Sequence, residues 1–144
     1  MAEEAVQLYS NCLAGVYQND PEIKFALAKA LYAKKDYNQA KNIVIELQEK
    51  NAKYKSNEVR FLYGKVLEAV GDLNGALNEY EKTADVLAGE EARWCYGSLL
   101  KRMGKKTEAD EVLTQILKRA ERADNYYRAQ QKEWIKLAQE NINK

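Results

Sequence analysis

The sequence predicts an all-α protein with a single domain, and three observations support this fold class. Helix-forming residues dominate the 144-residue chain, and Pro21 is its only proline. Segments of a dozen or more residues carry apolar side chains three and four positions apart, and none keeps the period-two alternation of a β-strand. An alanine-centred pattern also recurs at nearly constant spacing, which is typical of stacked helical hairpins.

The composition excludes several kinds of protein. With 23 basic and 22 acidic side chains the formal charge is +1, so we expect no nucleic-acid partner, because phosphate binding needs a basic excess. No run of about 18 apolar residues occurs, so we expect no direct membrane insertion. The chain has no histidine, no metal-ligand spacing and no glycine-rich phosphate loop. We therefore expect no enzyme activity, no catalytic residue, no metal and no cofactor.

The ends of the helices are marked by local signals. Asp20 and Pro21 form an N-cap followed by a first helical residue. Glycines at 71, 89 and 104 mark further boundaries. We expect a first helix over about residues 3–17 and a last helix that begins after Asp124 and continues through "NYYRAQQKEWIKLAQENI". The last helix is predicted to present one apolar face formed by Tyr127, Trp134, Leu137 and Ala138.

The alanine pattern sets the period of the array. Ala5, Ala40, Ala76 and Ala109 are 35, 36 and 33 residues apart. Each alanine is followed four positions later by a large apolar residue: Tyr9, Val44, Tyr80 and Leu113. This period predicts helix pairs that bury their apolar faces on their neighbours.

A second pattern recurs in the first helix of each predicted pair. The stretches "EIKFALAKAL", "EVRFLYGKVL" and "EARWCYGSLL" begin at Glu22, Glu58 and Glu91. Each has a glutamate, a basic residue, an aromatic residue and then a small residue. The small residues are Ala28, Gly64 and Gly97, and we expect neighbouring helices to approach closely there.

The chain resembles tetratricopeptide repeat (TPR) proteins, whose repeat is a hairpin of helix A and helix B. The matching residues are the Leu/Tyr-Ala/Gly pairs of helix A, the helix B alanines, and three turns, Lys35-Asp36-Tyr37, Gly71-Asp72-Leu73 and Gly104-Lys105-Lys106. The resemblance implies a right-handed superhelix of antiparallel helix pairs with N- and C-terminal capping helices. It predicts one TPR domain divided as 1–19 (half a repeat), 21–54, 57–89, 90–123 and 124–144 (capping helix).

The first helix resembles a helix B that lacks its helix A. It is interpreted either as a cap or as the remainder of a longer protein. Both ends are also similar to bacterial TPR proteins of unknown function that carry a short membrane anchor before the repeats. We expect a cytoplasmic protein, and this similarity implies one tethered to the inner membrane by a segment absent from this chain.

TPR proteins bind peptides in a concave groove lined by helix A, so the resemblance implies a non-catalytic protein-binding module. The predicted groove residues are Glu22, Phe25, Lys29, Tyr32, Glu58, Phe61, Lys65, Glu68, Glu91, Trp94 and Ser98. Such a groove would take a protein or peptide with apolar or aromatic anchors and at least one basic group. The alternative is a structural module that self-associates as a homo-oligomer through its outer or capping helices.

The aromatic residues of the recurring pattern have two interpretations. The core tryptophan of the family lies one position earlier, where this chain has Lys24, Arg60 and Arg93. Either the rings turn inward to fill the core while the basic stems extend to solvent, or the rings form a ladder along the groove. The glutamates likewise either stabilise the positive ends of the helices or line one wall of the groove.

Overall fold

The computed structural model describes residues 1–144 as nine α-helices without a β-strand, and the predicted all-α class is confirmed. The helices are α1 (Ala2–Leu13), α2 (Pro21–Ala33), α3 (Tyr37–Lys50), α4 (Ser56–Val70), α5 (Leu73–Thr83), α6 (Glu91–Arg102), α7 (Lys106–Arg122), α8 (Asn125–Gln130) and α9 (Lys132–Asn141). None of them is both long enough and apolar enough to cross a membrane.

Aspartate side chains begin four of the helices. Asp20 Oδ1 accepts hydrogen bonds from the backbone N–H groups of Glu22 at 2.9 Å and Ile23 at 3.3 Å, and Pro21 is the first residue of α2. The predicted N-cap is therefore confirmed. Asp36, Asp72 and Asp124 accept equivalent bonds at the starts of α3, α5 and α8. These carboxylates satisfy backbone donors that have no partner within a helix.

The turns inside the three helical hairpins share a left-handed residue. Lys35, Gly71 and Gly104 have φ angles of 70°, 93° and 81°. Glycine adopts this conformation without steric cost, whereas a side chain with a Cβ is strained there. Lys35 is therefore a lysine in a position that favours glycine.

We predict that Lys35→Gly stabilises the protein by about 0.5–1 kcal/mol. The substitution removes left-handed strain of about 1–3 kcal/mol and adds a glycine entropy cost of about 0.5–1 kcal/mol. The matched control is Gly71→Ala, because no atom lies within 4 Å of a Cβ at that position and only the backbone is affected. In urea unfolding, the free energy of unfolding should rise for Lys35→Gly and fall for Gly71→Ala. An unchanged free energy in Gly71→Ala would contradict the strain argument.

The helices form two compact units, residues 1–76 and 77–144, and the boundary lies within α5. In unit 1, α1 packs on α2, α2 on α3 and α3 on α4. Apolar side chains of α2, α3 and α4 form its core: Phe25, Leu27, Ala28, Leu31, Ala40, Val44, Leu47, Val59, Leu62 and Val66. Val6, Tyr9 and Leu13 of α1 pack against this core, so α1 covers the open side of α2.

In unit 2, α6 packs on α7, and α9 packs on both. The apolar cluster there contains Leu113, Ile116 and Ala138, with Trp94 packed against it. A Cβ at Gly97 would lie 3.0 Å from Leu113 Cδ2, closer than ordinary van der Waals contact. The predicted close approach of helices at this glycine is therefore present between α6 and α7.

The C-terminal segment differs from the single helix that we expected. It forms α8 and α9, which are separated at Gln131. Of the predicted apolar face, only Ala138 is fully buried, and Ile135 and Ile142 pack on the core in addition. At this break the Oε1 of Gln131 accepts a 2.9 Å hydrogen bond from the Glu90 backbone N–H. The predicted repeat boundaries and the single-domain organisation remain predictions.

Candidate functional site

Two helices of unit 1, α2 and α4, are in direct contact and bring three predicted groove residues together. The ammonium of Lys65 lies 5.3 Å from the ring centre of Tyr32 and 5.0 Å from that of Phe61. Both distances are within the range of cation–π attraction. We call Tyr32, Phe61 and Lys65 the aromatic–lysine cluster. All three are half-buried, so each presents part of its surface to solvent.

Phe25 lies deeper than Phe61. It is 7% exposed and belongs to the apolar core of unit 1. Its ring meets that of Tyr54 edge-on, with 6.2 Å between centres and 75° between planes. The exposed Lys29 places its ammonium 4.6 Å from the centre of the Phe25 ring. Phe25 therefore lies beneath the α2–α4 surface, and the Lys29 side chain covers the Phe25 ring.

Two predicted glutamates act electrostatically on Tyr54, a residue absent from the predicted site because it lies in the turn between α3 and α4. Burial, and next the charge of Glu22, raise the pKa of the Tyr54 phenol; Glu58 acts in the same direction. Lys55 offsets part of this charge, with its ammonium 4.0 Å from Glu58. Glu22 and Glu58 are exposed in the first turns of α2 and α4. We call these two carboxylates beside Tyr54 the acidic edge.

Two of the three basic residues that replace the family's core tryptophan, Lys24 and Arg93, do not extend to solvent as one interpretation proposed, and Arg60 is half-buried. Lys24 is only 2% exposed, and its ammonium lies 3.7 Å from Glu46 Oε1 without a hydrogen bond. Arg93 is also buried, and its Nε lies 3.4 Å from Asp85. Acidic partners on neighbouring segments allow both cations to remain inside.

The other predicted groove residues occupy separate places. Glu68 is half-buried near the end of α4. Glu91, Trp94 and Ser98 lie on α6 in unit 2, where all three are half-buried. Trp94 packs against the core formed by Leu113, Ile116 and Ala138, so this ring contributes to packing within its own unit.

Unit 2 contains a buried polar cluster that the sequence did not reveal. The Glu90 side chain is fully buried, and its Oε2 accepts a hydrogen bond from Arg119 Nε at 3.1 Å and another from the Tyr127 hydroxyl. Arg93 Nη1 lies 3.4 Å from Glu90 Oε1. The partners are up to 37 residues away in sequence, so no local pattern indicates the cluster.

The cluster changes the acid–base properties of its members. Burial and the hydrogen bond to Glu90 raise the pKa of the Tyr127 phenol. The hydrogen bond to Glu90 likewise raises the pKa of the Arg119 guanidinium. Since Tyr127 lies in the first turn of α8 and Gln131 directly follows its last residue, this short helix is bonded to Glu90 near both ends. We call Glu90, Arg93, Arg119 and Tyr127 the Glu90 cluster.

Comparison with known proteins identifies the repeat. Residues 1–60 match the family model described as tetratricopeptide repeat. No curated protein matches the chain in sequence. The fold is similar to a crystal structure of nearly identical TPR-like repeats from a kinesin-light-chain-like protein of Podosopora anserina, with a TM-score of 0.71 and 15% identity over 96% of this chain and 86% of that chain.

A single-substitution variant of that Podosopora anserina protein is similar to the same degree. Its TM-score is 0.72 at 16% identity, over 96% of this chain and 84% of that chain. Identities this low establish the fold alone, and the similarity to membrane-anchored bacterial proteins remains a prediction. Residues 1–60 are therefore similar in sequence to the tetratricopeptide repeat, and the chain has the all-α helical-repeat fold of TPR-like proteins.

Proposed function

We propose that this protein is a non-catalytic interaction module and that the α2–α4 surface of unit 1 binds an extended peptide segment of a partner protein. The observation that carries the proposal is the aromatic–lysine cluster, in which two half-buried rings both lie within cation–π distance of one ammonium. Rings fixed in this way lose little conformational freedom on binding, which favours them as anchors.

The charges along this surface support one orientation of the peptide. Lys29 and Lys65 would repel a basic side chain near the rings, whereas Glu22 and Glu58 at the acidic edge would attract it. Lys65 is seven residues beyond Glu58, about 10 Å along α4. Because an extended peptide advances about 3.3 Å per residue, the basic residue of the ligand should lie about three positions from its apolar or aromatic anchor.

A peptide-display selection against the whole chain tests this function. We expect enriched peptides that combine an aromatic or large apolar residue with a Lys or Arg about three positions away. Calorimetry with one such peptide should show that Phe61→Ala weakens binding by more than about 2 kcal/mol, since a central aromatic anchor is a typical hot spot. The double variant Glu22→Gln/Glu58→Gln should weaken binding less and reduce its dependence on salt.

Tyr17→Ala is the matched control, because Tyr17 is an exposed aromatic residue of the same unit that lies outside the α2–α4 surface. It should leave peptide affinity unchanged. Equal affinity of the wild type and Phe61→Ala for the selected peptides would refute the proposed surface.

Self-association is the second candidate function, and exposed apolar residues near the first helix favour it. Leu8 is exposed on α1, and Val16 and Tyr17 are exposed in the turn that follows, with Val16 91% accessible. Size-exclusion chromatography with light scattering distinguishes the two functions. A dimer whose population rises with concentration and falls in a Leu8→Ser/Val16→Ser variant would support self-association, whereas a monomer at all concentrations would exclude it.

A further inference from the structure

A basic pocket borders the C-terminal half of α7 in unit 2. Its cavity of about 280 Å³ is lined by Asp85, Arg93, Gln115, Lys118, Arg119 and Arg122. A second cavity of about 290 Å³ shares Arg119 and Arg122 with it and adds Ala123 and Tyr127. The two cavities are therefore adjacent stretches of one surface, which we call the α7 pocket.

The α7 pocket has an excess of positive charge. Four cationic side chains line it, and two carboxylates, Asp85 in the lining and Glu90 beneath it, neutralise only part of their charge. Arg93 uses its donors on Asp85, Glu90 and the Gly89 carbonyl. Lys118 and Arg122 are exposed, and neither takes part in an ion pair.

Arg119 is the fixed member of the pocket. Its Nε is hydrogen-bonded to the buried Glu90, while 47% of the side chain remains accessible. The guanidinium is therefore oriented before any ligand arrives, which lowers the entropy cost of binding. Arg122 lies three residues beyond Arg119 and four beyond Lys118, so it is a neighbour of both on the surface of α7. The negative end of the helix dipole also favours basic residues near a helix C-terminus. That effect alone requires neither a cavity nor a buried carboxylate such as Glu90.

We propose that the α7 pocket binds an acidic segment of a protein partner, with neighbouring Asp or Glu carboxylates held by Lys118, Arg119 and Arg122. Guanidinium groups pair with carboxylates through two parallel hydrogen bonds, and the ionised partners make these bonds strong. Each cavity suits one side chain, and their adjacency suits two carboxylates on one chain. This site is independent of the α2–α4 surface, which prefers a ligand of the opposite charge.

The test uses a fluorescein-labelled peptide of alternating glutamate and alanine, with a glutamine–alanine peptide of equal length as its control. Fluorescence anisotropy at low salt should show that the glutamate peptide binds the whole chain and that the glutamine peptide does not. Lys118→Gln/Arg122→Gln should weaken binding at least about tenfold, because two charge-assisted contacts are lost. Lys106→Gln/Lys132→Gln removes the same charge from exposed positions of unit 2 outside the pocket and should retain the affinity.

Several outcomes would overturn the proposal. Equal weakening in both double variants would show that net charge alone attracts the peptide. If the wild type did not bind the glutamate peptide, the proposed site would be refuted. Complete displacement of the peptide by millimolar inorganic phosphate would instead show that the pocket binds small anions. Phe61→Ala should leave binding of the glutamate peptide unchanged, so failure of the α2–α4 surface and failure of the α7 pocket would be observed separately.

Discussion

Replacing Glu90 with alanine should lower the free energy of unfolding by about 3–5 kcal/mol, because removal of one partner from a buried ion pair leaves the other charge uncompensated. Arg93 is buried beside Glu90, and Arg119 and Tyr127 direct their donors to the same carboxylate. Arg93 is the buried charge that loses a carboxylate partner and keeps only Asp85 and the Gly89 carbonyl, whereas Arg119 is 47% accessible and can bond to water. The attachment of α8 should weaken with it.

Urea unfolding followed by circular dichroism measures this loss. Glu121→Ala is the matched control, since Glu121 is an exposed glutamate on α7 and should change stability by no more than about 0.5 kcal/mol. Glu90→Gln keeps the shape of the side chain and removes its charge, so its effect should lie between the two. If Glu90→Ala unfolds at the same urea concentration as Glu121→Ala, the cluster contributes nothing to the fold.

The Tyr127 phenol adds a signature at alkaline pH. Its pKa is raised in the folded protein above the ordinary value of 10.0, so the fold favours the protonated phenol. The corresponding stability is complete below that ordinary value and is lost as the pH rises through the folded pKa. Because Glu90 contributes to the shift, the alkaline loss of stability should be smaller in Glu90→Ala than in the wild type.

The start of α2 could be predicted because the interactions that set it are local, whereas the first helix ends at Leu13 and not near residue 17 as predicted. Asp20 caps α2 through backbone groups two and three residues away. The break between α8 and α9 could not be predicted, because Gln131 bonds to Glu90, 41 residues earlier. The segment around Gln131 has helical periodicity throughout, so local propensity gives no sign of the division.

The candidate site likewise depends on contacts between residues that are distant in sequence. The spacing of "EIKFALAKAL" and "EVRFLYGKVL" placed Phe25 and Phe61 at equivalent positions of two repeats, and α2 and α4 do lie side by side. Their burial differs because Tyr54, from the turn between α3 and α4, packs against Phe25. The sequence of a repeat determines the positions of its rings along the helix, while the neighbouring turn determines which ring is covered.

Truncation of Phe25 to alanine should therefore cost about 3–5 kcal/mol of stability, the usual loss for a phenylalanine removed from a packed core. Of this loss, about 0.5–1.5 kcal/mol comes from the edge-on contact with Tyr54, which a double-mutant cycle with Tyr54→Leu isolates. Phe25→Leu retains most of the apolar volume and should cost less than Phe25→Ala. The free energy of unfolding in urea measures all of these effects.

Phe61→Ala is the decisive comparison because it removes the same side chain from the equivalent position of the next repeat. Phe61 is half-buried, so its truncation should cost clearly less than that of Phe25, about 1–2 kcal/mol. The two variants should be compared in binding at a temperature where both are folded, and the order should then be reversed. Phe61→Ala should weaken binding of the selected peptide, whereas Phe25→Ala should affect binding only by changing the position of Lys29. Equal losses of stability would mean that the Phe25 and Phe61 rings both serve packing alone, and Tyr32 would then be the only ring of the aromatic–lysine cluster that could contact a ligand.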